Sequence, residues 1–290
     1  MNLSLAVTRR RDDGFHELVS VAAPLGIGDV LQVMEMGSPE ITLECDDAAV
    51  PTDESNLVVK AARLFRDRSG WGSGAHFVLR KETPMGAGLG GGSSDAVGAL
   101  IGLNQLSGDL LTLAELQKMS AELGSDCPLF FERRPVVMRG RGEVLTPLLG
   151  SAVDRFSDRK LLVIKPPFGV NTAWAFGRMA AQAPHSYLPT PEAEKRLSTW
   201  LASPEAHPDE LAFNSFEAIV GAKFAALPAL AREIETRFGC RMHLSGSGSA
   251  CYLWPPNDKI AHEIETLVRA SWGPESWIRC TEIKAERINS

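Results

Sequence analysis

The sequence has no apolar run close to the roughly 20 residues that a membrane-spanning helix needs, which excludes an ordinary helical membrane protein. Cysteine is sparse and scattered: Cys45, Cys127, Cys240, Cys251 and Cys280, with no Cys-x-x-Cys pair. Such spacing gives neither a zinc ribbon nor a disulfide framework, so reduced and mostly buried thiols are expected. The six histidines do not fall at metal-ligand spacing, and no structural zinc is expected. Basic stretches are lacking apart from Arg9-Arg10-Arg11, and the net charge is −6. Those two facts weigh against nucleic acid as a partner. Internal repeats and low-complexity tracts are absent. The opening Met1-Asn2-Leu3-Ser4-Leu5 lacks a basic-then-apolar signal pattern, so a cytoplasmic protein is expected.

What is present suffices for a folded core. The 290 residues are 44% hydrophobic and 23% charged, enough for one large domain or two smaller ones. Leu3, Leu5 and Val7 alternate with Asn2, Ser4 and Ala6 at strand spacing, and Asp12-Asp13-Gly14 reads as a turn. Further strands are expected at 30–33, 41–43 and 76–79, and a helix at 57–65 capped by Asn56 or Ser55. The sharpest local signal spans 111–124. Thr112 and Glu115 form a capping box, Leu111 and Leu116 suit a hydrophobic staple, and Gly124 stands at the C-terminal end. A polar stretch at 150–158 precedes a strand at 160–165. Helices are expected at 172–182 and 218–238, then a strand–turn–strand unit over 241–254, a helix and a last strand. Strands and helices mixed without a strict βαβ rhythm indicate an α+β protein.

The chemistry concentrates in Pro84-Met85-Gly86-Ala87-Gly88-Leu89-Gly90-Gly91-Gly92-Ser93-Ser94-Asp95, which holds five glycines between 86 and 92. Glycine admits positive φ and lets the backbone approach a ligand. Ser93-Ser94-Asp95 then opens a helix with apolar positions Val97, Leu100, Ile101 and Leu106. A glycine loop feeding a helix N-terminus is suited to phosphate, and serine hydroxyls add ligands for phosphate or magnesium. The Gly-Lys-Ser/Thr of a Walker loop is absent. Gly86-Ala87-Gly88-Leu89-Gly90-Gly91 matches the dinucleotide fingerprint formally, but no strand with a ribose-binding acid follows at the right distance. A nucleotide triphosphate fits this loop better than a dinucleotide or an unliganded turn.

Pro84–Ser94, the second glycine segment Leu244-Ser245-Gly246-Ser247-Gly248-Ser249-Ala250 and the N-terminal strand together resemble the GHMP kinase family, in the order that family has them. The resemblance covers nearly the whole chain. It implies a two-domain α+β fold, with an N-terminal domain like ribosomal protein S5 domain 2 over 1–155 and a ferredoxin-like domain over 156–290. It also implies an active site in the cleft between the domains, with ATP and Mg2+ as cofactors. Arg11-Asp12-Asp13-Gly14-Phe15-His16-Glu17-Leu18 and Leu123-Gly124-Ser125-Asp126-Cys127-Pro128 are similar to the branch that phosphorylates a cytidine diphosphate-linked alcohol.

On that resemblance Asp126 acts on the hydroxyl that receives the γ-phosphate; read on its own, Asp before Cys-Pro suits a helix N-cap. Pro84, Gly86, Gly88, Leu89, Gly90, Gly91, Gly92, Ser93 and Ser94 are expected to hold ATP, with Asn56 near the adenine. Ser94 and Asp126 are the candidates for Mg2+. Phe15, His16 and Phe176 are expected around the cytosine, and Asn2, Gly246, Ser247 and Gly248 along the rest of the substrate. Glu17 and Glu143 are left as surface or structural residues. The family carries Pro-Ala-Lys just before the first strand; alignment on Asn2 puts that lysine upstream of Met1, and no lysine precedes Lys60. The expectation is that the chain binds ATP but turns over slowly, and that adding Pro-Ala-Lys speeds it. Rival readings are another GHMP small-molecule kinase, a weakly catalytic nucleotide-binding paralogue and, more distantly, a dinucleotide-dependent oxidoreductase.

Overall fold

The computed structural model describes residues 1–157 and 159–284. Its strands are β1 (Asn2–Arg10), β2 (His16–Ala22), β3 (Val30–Met36), β4 (Ile41–Cys45), β5 (Gly74–Arg80), β6 (Val136–Arg139), β7 (Val144–Pro147), β8 (Leu161–Lys165), β9 (His243–Leu244), β10 (Cys251–Leu253) and β11 (Trp277–Thr281). The helices are α1 (Leu57–Ser69), α2 (Gly91–Leu106), α3 (Leu113–Leu123), α4 (Ser151–Asp154), α5 (Thr172–Ala181), α6 (Thr190–Leu201), α7 (Pro208–Leu211), α8 (Glu217–Lys223), α9 (Ala226–Phe238) and α10 (Asp258–Trp272). A short 3-10 segment runs over Cys127–Phe131.

Two compact units result. The first comprises Met1–Gly26, Gly86–Leu89 and the chain from Arg133 onward; the second comprises Ile27–Met85 and Gly90–Glu132. Both are discontinuous in sequence, unlike the division at 155/156 expected from the family. Pairing makes them so: β2 bonds to β6 across more than a hundred intervening residues, and the 86–89 segment joins the first unit by its own hydrogen bonds.

The first unit has two four-stranded antiparallel sheets, ordered β1-β2-β6-β7 and β11-β8-β10-β9. Leu3, Leu5 and Val7 of β1 are buried as their spacing implies. Ala6 and Thr8 on the other face are buried too, so this strand is covered on both sides near its middle. The fully buried Tyr252 ring sits behind it and donates its hydroxyl to the Leu3 carbonyl at 2.6 Å.

In the second unit β3 pairs antiparallel and β4 parallel with the central β5. Phe65, Phe77, Leu79, Leu100 and Leu103 fill its core from α1, β5 and α2. Asn56 caps α1 through its side-chain oxygen, and Thr112 with Glu115 makes the capping box of α3. Three expectations need correction. Gly124 ends α3 with extended backbone (φ 178°, ψ 148°) rather than in a left-handed turn. Leu106 is exposed, and Leu103 takes its place in the core. The helix expected over 218–238 is two helices, α8 and α9, broken at Phe224-Ala225. Pro228 explains the break: in a continuous helix its ring would strike the carbonyl of Phe224, whereas it is tolerated in the first turn of a new helix. Asp158, the end of the expected polar stretch, lies outside the described residues, and 151–154 of that stretch is α4.

Candidate active site

Within the second unit, α2 opens on Gly90 in left-handed conformation (φ 77°), with no side chain capping the helix. The N–H groups of Gly91, Gly92 and Ser93 therefore have no partner inside the helix, and the dipole of a 16-residue helix adds to them. Ser94 N–H returns to Gly90 O at 2.9 Å, which closes the first turn. Gly90 has no room for a side chain, because a Cβ would lie 2.7 Å from Cζ of Phe130. Ser93 hydrogen-bonds the buried Cys127 thiol. The 127–131 segment is thus fastened to the start of α2, and Asp126 immediately precedes it.

Asp126 occupies the cap position of that segment, but with helical backbone (φ −88°, ψ −13°) and no side-chain cap bond. The N-cap reading is corrected here: a capping side chain needs an extended backbone at its own position, which Asp126 lacks. The residue is exposed to solvent. Even so, the protein packed around the carboxyl pushes its pKa above the ordinary aspartate range.

Beneath Gly91 lies an ion cluster that sequence reasoning did not single out. Lys81 Nζ contacts Asp29 Oδ2 and sits 2.8 Å from Asp95 Oδ2, and all three side chains are more than nine-tenths buried. Asp29 also accepts the N–H groups of Glu82 (2.7 Å) and Thr83 (2.8 Å) and the Thr83 hydroxyl (2.5 Å). Burial pushes Asp95 up to about 6 against the pull of Lys81. Asp29 is likewise desolvated, yet its bonds to Lys81 and Thr83 hold it below the usual carboxylate range. A Cβ on Gly91 would lie 2.5 Å from Thr83 Oγ1 and 3.3 Å from Lys81 Nζ, so the middle glycine of the triplet is the one this cluster requires. The available signal was an aspartate, Asp95, entering an apolar helix; Lys81 lies just past the end of β5, where a charge is ordinary.

The first unit brings the other glycine segments together. Ala250 N–H donates to Ala87 O (2.9 Å), and Ser245 Oγ donates to Gly88 O (3.1 Å). Gly88 has φ 75°, and a Cβ there would lie 2.6 Å from Ser245 O, a backbone atom that cannot turn aside. Asn2 joins the same group. Its N–H donates to Ser245 Oγ (3.2 Å), its side chain donates to Ser20 Oγ (2.9 Å), and a Cβ on Gly246 would lie 3.3 Å from Asn2 Oδ1. Ser247 shares a 2.8 Å hydrogen bond with Thr172 at the start of α5.

The aromatic residues of the expected base site also belong to this unit. The His16 and Phe176 rings lie 4.7 Å apart, and Phe176 meets Phe216 edge-on. Phe15 is 53% exposed, and Arg141 stacks over its ring at 4.7 Å. Sequence reasoning missed Tyr187, whose hydroxyl is 3.2 Å from His16 Nε2. Burial, with Arg10 nearby, holds the His16 pKa below its ordinary value and favours neutral imidazole. Asn56 uses its amide on Val58 N–H and Pro51 O. Glu17 pairs with Arg9 and Arg11, while Glu143 binds the Arg141 N–H; both are structural, as expected.

The family description "GHMP kinases N terminal domain" matches residues 56–131. A 4-diphosphocytidyl-2-C-methyl-D-erythritol kinase of Methylacidiphilum infernorum (isolate V4) is 36% identical over 98% of this chain and 94% of its own length. The enzyme of that name from Synechococcus sp. (strain CC9902) is 36% identical over 100% of this chain and 97% of its own. The chain belongs to the 4-diphosphocytidyl-2-C-methyl-D-erythritol kinase family. A crystal structure of 4-(cytidine 5'-diphospho)-2C-methyl-D-erythritol kinase superposes with a TM-score of 0.76 at 31% identity, over 97% of this chain and 96% of that one. The fold is accordingly the GHMP kinase fold, and the chain is an ATP-dependent small-molecule kinase.

Among the described residues no group of three or more His, Cys, Asp or Glu side chains is arranged to hold a metal. Ser94 and Asp126 offer hard oxygen donors, and the Asp126 carboxylate is not engaged in capping. That donor set suits Mg2+, which commonly takes one or two carboxylates and completes its shell with phosphate and water. No helix among the described residues is long and apolar enough to cross a membrane.

Proposed function

We propose that this chain transfers the γ-phosphate of ATP to the 2-hydroxyl of 4-diphosphocytidyl-2-C-methyl-D-erythritol, a step of the non-mevalonate isoprenoid pathway, in the cytoplasm. One observation carries the reaction class: a single compact unit pairs an uncapped helix N-terminus, entered through glycines, with an aspartate that caps nothing. The alcohol is the one the full-length relatives are named for.

In this reading the N–H groups of Gly91, Gly92 and Ser93 receive the triphosphate, and Ser94 and Asp126 would hold Mg2+, which would supply positive charge against the phosphates. Pro84, Gly86, Gly88 and Leu89 shape the rest of the loop, and Asn56 lies toward the adenine. Asp126 orients the accepting hydroxyl and takes its proton as the phosphoryl group moves. Positioning and charge stabilisation supply most of the acceleration in such transfers. A carboxyl pushed upward by its surroundings is a better base than an ordinary aspartate, provided the pH stays above its pKa. Phe15, His16 and Phe176 hold the cytosine, and Asn2, Gly246, Ser247 and Gly248 the remainder of the alcohol. A coupled ADP-release assay across candidate alcohols tests the assignment. Turnover with the cytidyl substrate and little with homoserine, mevalonate or sugars is expected; a preference for an alcohol without cytidine would overturn it.

A further inference from the structure

Asn214 is buried, and every hydrogen-bonding direction of its carboxamide that the structure uses points to backbone. Nδ2 donates to Leu244 O at 2.7 Å and to Gly246 O at 2.8 Å, while Oδ1 accepts Phe216 N–H at 2.9 Å. The amide can face only one way, since a flip would set its oxygen against two carbonyl oxygens. The neighbours of Asn214 grip β1: Leu5 N–H donates to Phe213 O (2.7 Å), Ser215 N–H to Leu5 O (2.9 Å) and Val7 N–H to Ser215 Oγ (3.0 Å). One short stretch of chain therefore sets both the strand that carries Asn2 and the loop that carries Gly246 and Gly248. That loop needs help to hold its shape, because Gly246 (φ 58°) and Gly248 (φ 84°) are both left-handed.

We propose that Asn214 is the positioning residue of the substrate's diphosphate site. It draws the carbonyls of Leu244 and Gly246 into the core, which leaves the N–H groups of Gly246 and Ser247 for an anion, those of Ser245, Gly248 and Ala250 being bonded within the chain. Backbone turns with alternating handedness bind phosphate in this way. The amide is neutral, so it orders the loop without placing a negative charge beside the ligand, which a buried carboxylate in the same place would do. The inference rests on the reading that the Gly246–Gly248 loop meets the substrate.

Asn214→Asp tests it. The change keeps the acceptor for Phe216 N–H and the side-chain volume but turns the donor into an oxygen facing two carbonyls. Turnover of the cytidyl substrate by the wild-type chain is measured first, and its absence would sink the proposed function independently of the variant. With turnover established, the variant should raise KM for the cytidyl substrate about tenfold or more while ATP KM stays within about twofold. Calorimetric affinity for CDP should fall by a similar factor and affinity for cytidine should not. Equal weakening of CDP and cytidine would reveal a purely structural residue and overturn the proposal, as would unchanged affinity for CDP. If Asn214→Asp does not fold, Asn214→Ser, which removes the amide without adding an acceptor against the carbonyls, is judged by the same CDP-against-cytidine comparison.

Discussion

The two units support their glycine segments by different physics. In the first unit, the 86–89 and 244–250 segments are held by neutral groups: the Ser245 hydroxyl, the Asn214 amide and the backbone pair Ala250–Ala87. In the second, the 90–95 segment rests on a buried ammonium between two carboxylates. A neutral hydrogen bond contributes about 0.5–1.5 kcal/mol and ignores pH. A buried ion cluster gains more in Coulomb energy and gives much of it back in desolvation, so its net contribution depends on every member being present. The cluster also sets the local charge. Fully ionised, two aspartates and one lysine carry one net negative charge under the helix terminus proposed to receive phosphate. The upward push on Asp95 relieves that charge by letting the carboxyl keep its proton more readily.

The widest separation between the units should appear in catalysis. Asp126→Asn is expected to cut kcat by about 10²–10⁴, the usual contribution of a positioned acid or base. ATP affinity should stay within about twofold, because the loss falls on the transition state. In the wild type the acid limb of the kcat/KM profile should lie above the ordinary aspartate range, with activity falling as pH drops through the raised pKa of Asp126. Turnover near the wild-type rate would remove Asp126 from the chemistry.

Stability should separate them next. Lys81→Met leaves Asp29 and Asp95 buried together without a counter-ion, and a cost of about 3–5 kcal/mol is expected in urea melts. Ser245→Ala, the neutral counterpart, leaves Asn2 N–H and Gly88 O each one partner short and should cost about 1–3 kcal/mol. Equal costs would erase the distinction between the ionic and the neutral support. On the ligand side, Phe15→Ala should raise KM for the cytidyl substrate by an amount worth about 1–3 kcal/mol, as for bases stacked on aromatic platforms. Since Phe15 is proposed to meet only the cytosine, ATP KM should stay put.

What could be read from the sequence was what is local. Thr112 and Glu115 declared a helix start because the capping box is complete within four residues. The glycine loop was legible because positive φ is needed at particular positions, and Gly86, Gly88 and Gly90 all adopt it. Asp126 shows the limit of that method. A local reading made it a cap, and only tertiary packing decided that its backbone is helical and that its side chain makes no cap bond. Lys81 and Asp29 are 52 residues apart, and Asn214 is 30 from the carbonyl it holds; no short-range pattern ties either pair. Pro228 was the opposite case, a plain local signal for the break between α8 and α9 that helical periodicity overrode.

The smallest effect is the sharpest test of the ionic support, because pH changes it without touching a residue. Asp95 has a folded-state pKa of about 6 against an ordinary 3.8. The folded chain thus holds a proton there that the unfolded chain has already lost between those values. By linkage, the contribution of Asp95 is fully present below about pH 4 and is lost as pH rises through about 6. Asp29 works in the opposite sense: its depressed pKa contributes stability above the ordinary aspartate range and loses it as pH falls further. Lys81 is raised, so its contribution is lost only in alkali, outside this window. Comparison with Asp95→Asn cancels the terms the two chains share. Stability of the wild type relative to the variant should decline by on the order of 2 kcal/mol between pH 4 and 7, since each tenfold difference in proton affinity is worth about 1.4 kcal/mol, the gap is about two units and the variant's amide does not titrate. That difference amounts to a change of several degrees in relative Tm for a chain of this size. The same comparison with Asn214→Ser, in the neutral support, should be flat over this range. A flat Asp95→Asn difference would mean that the carboxylate stays fully paired with Lys81 throughout, and the two supports would then differ in strength but not in their response to pH.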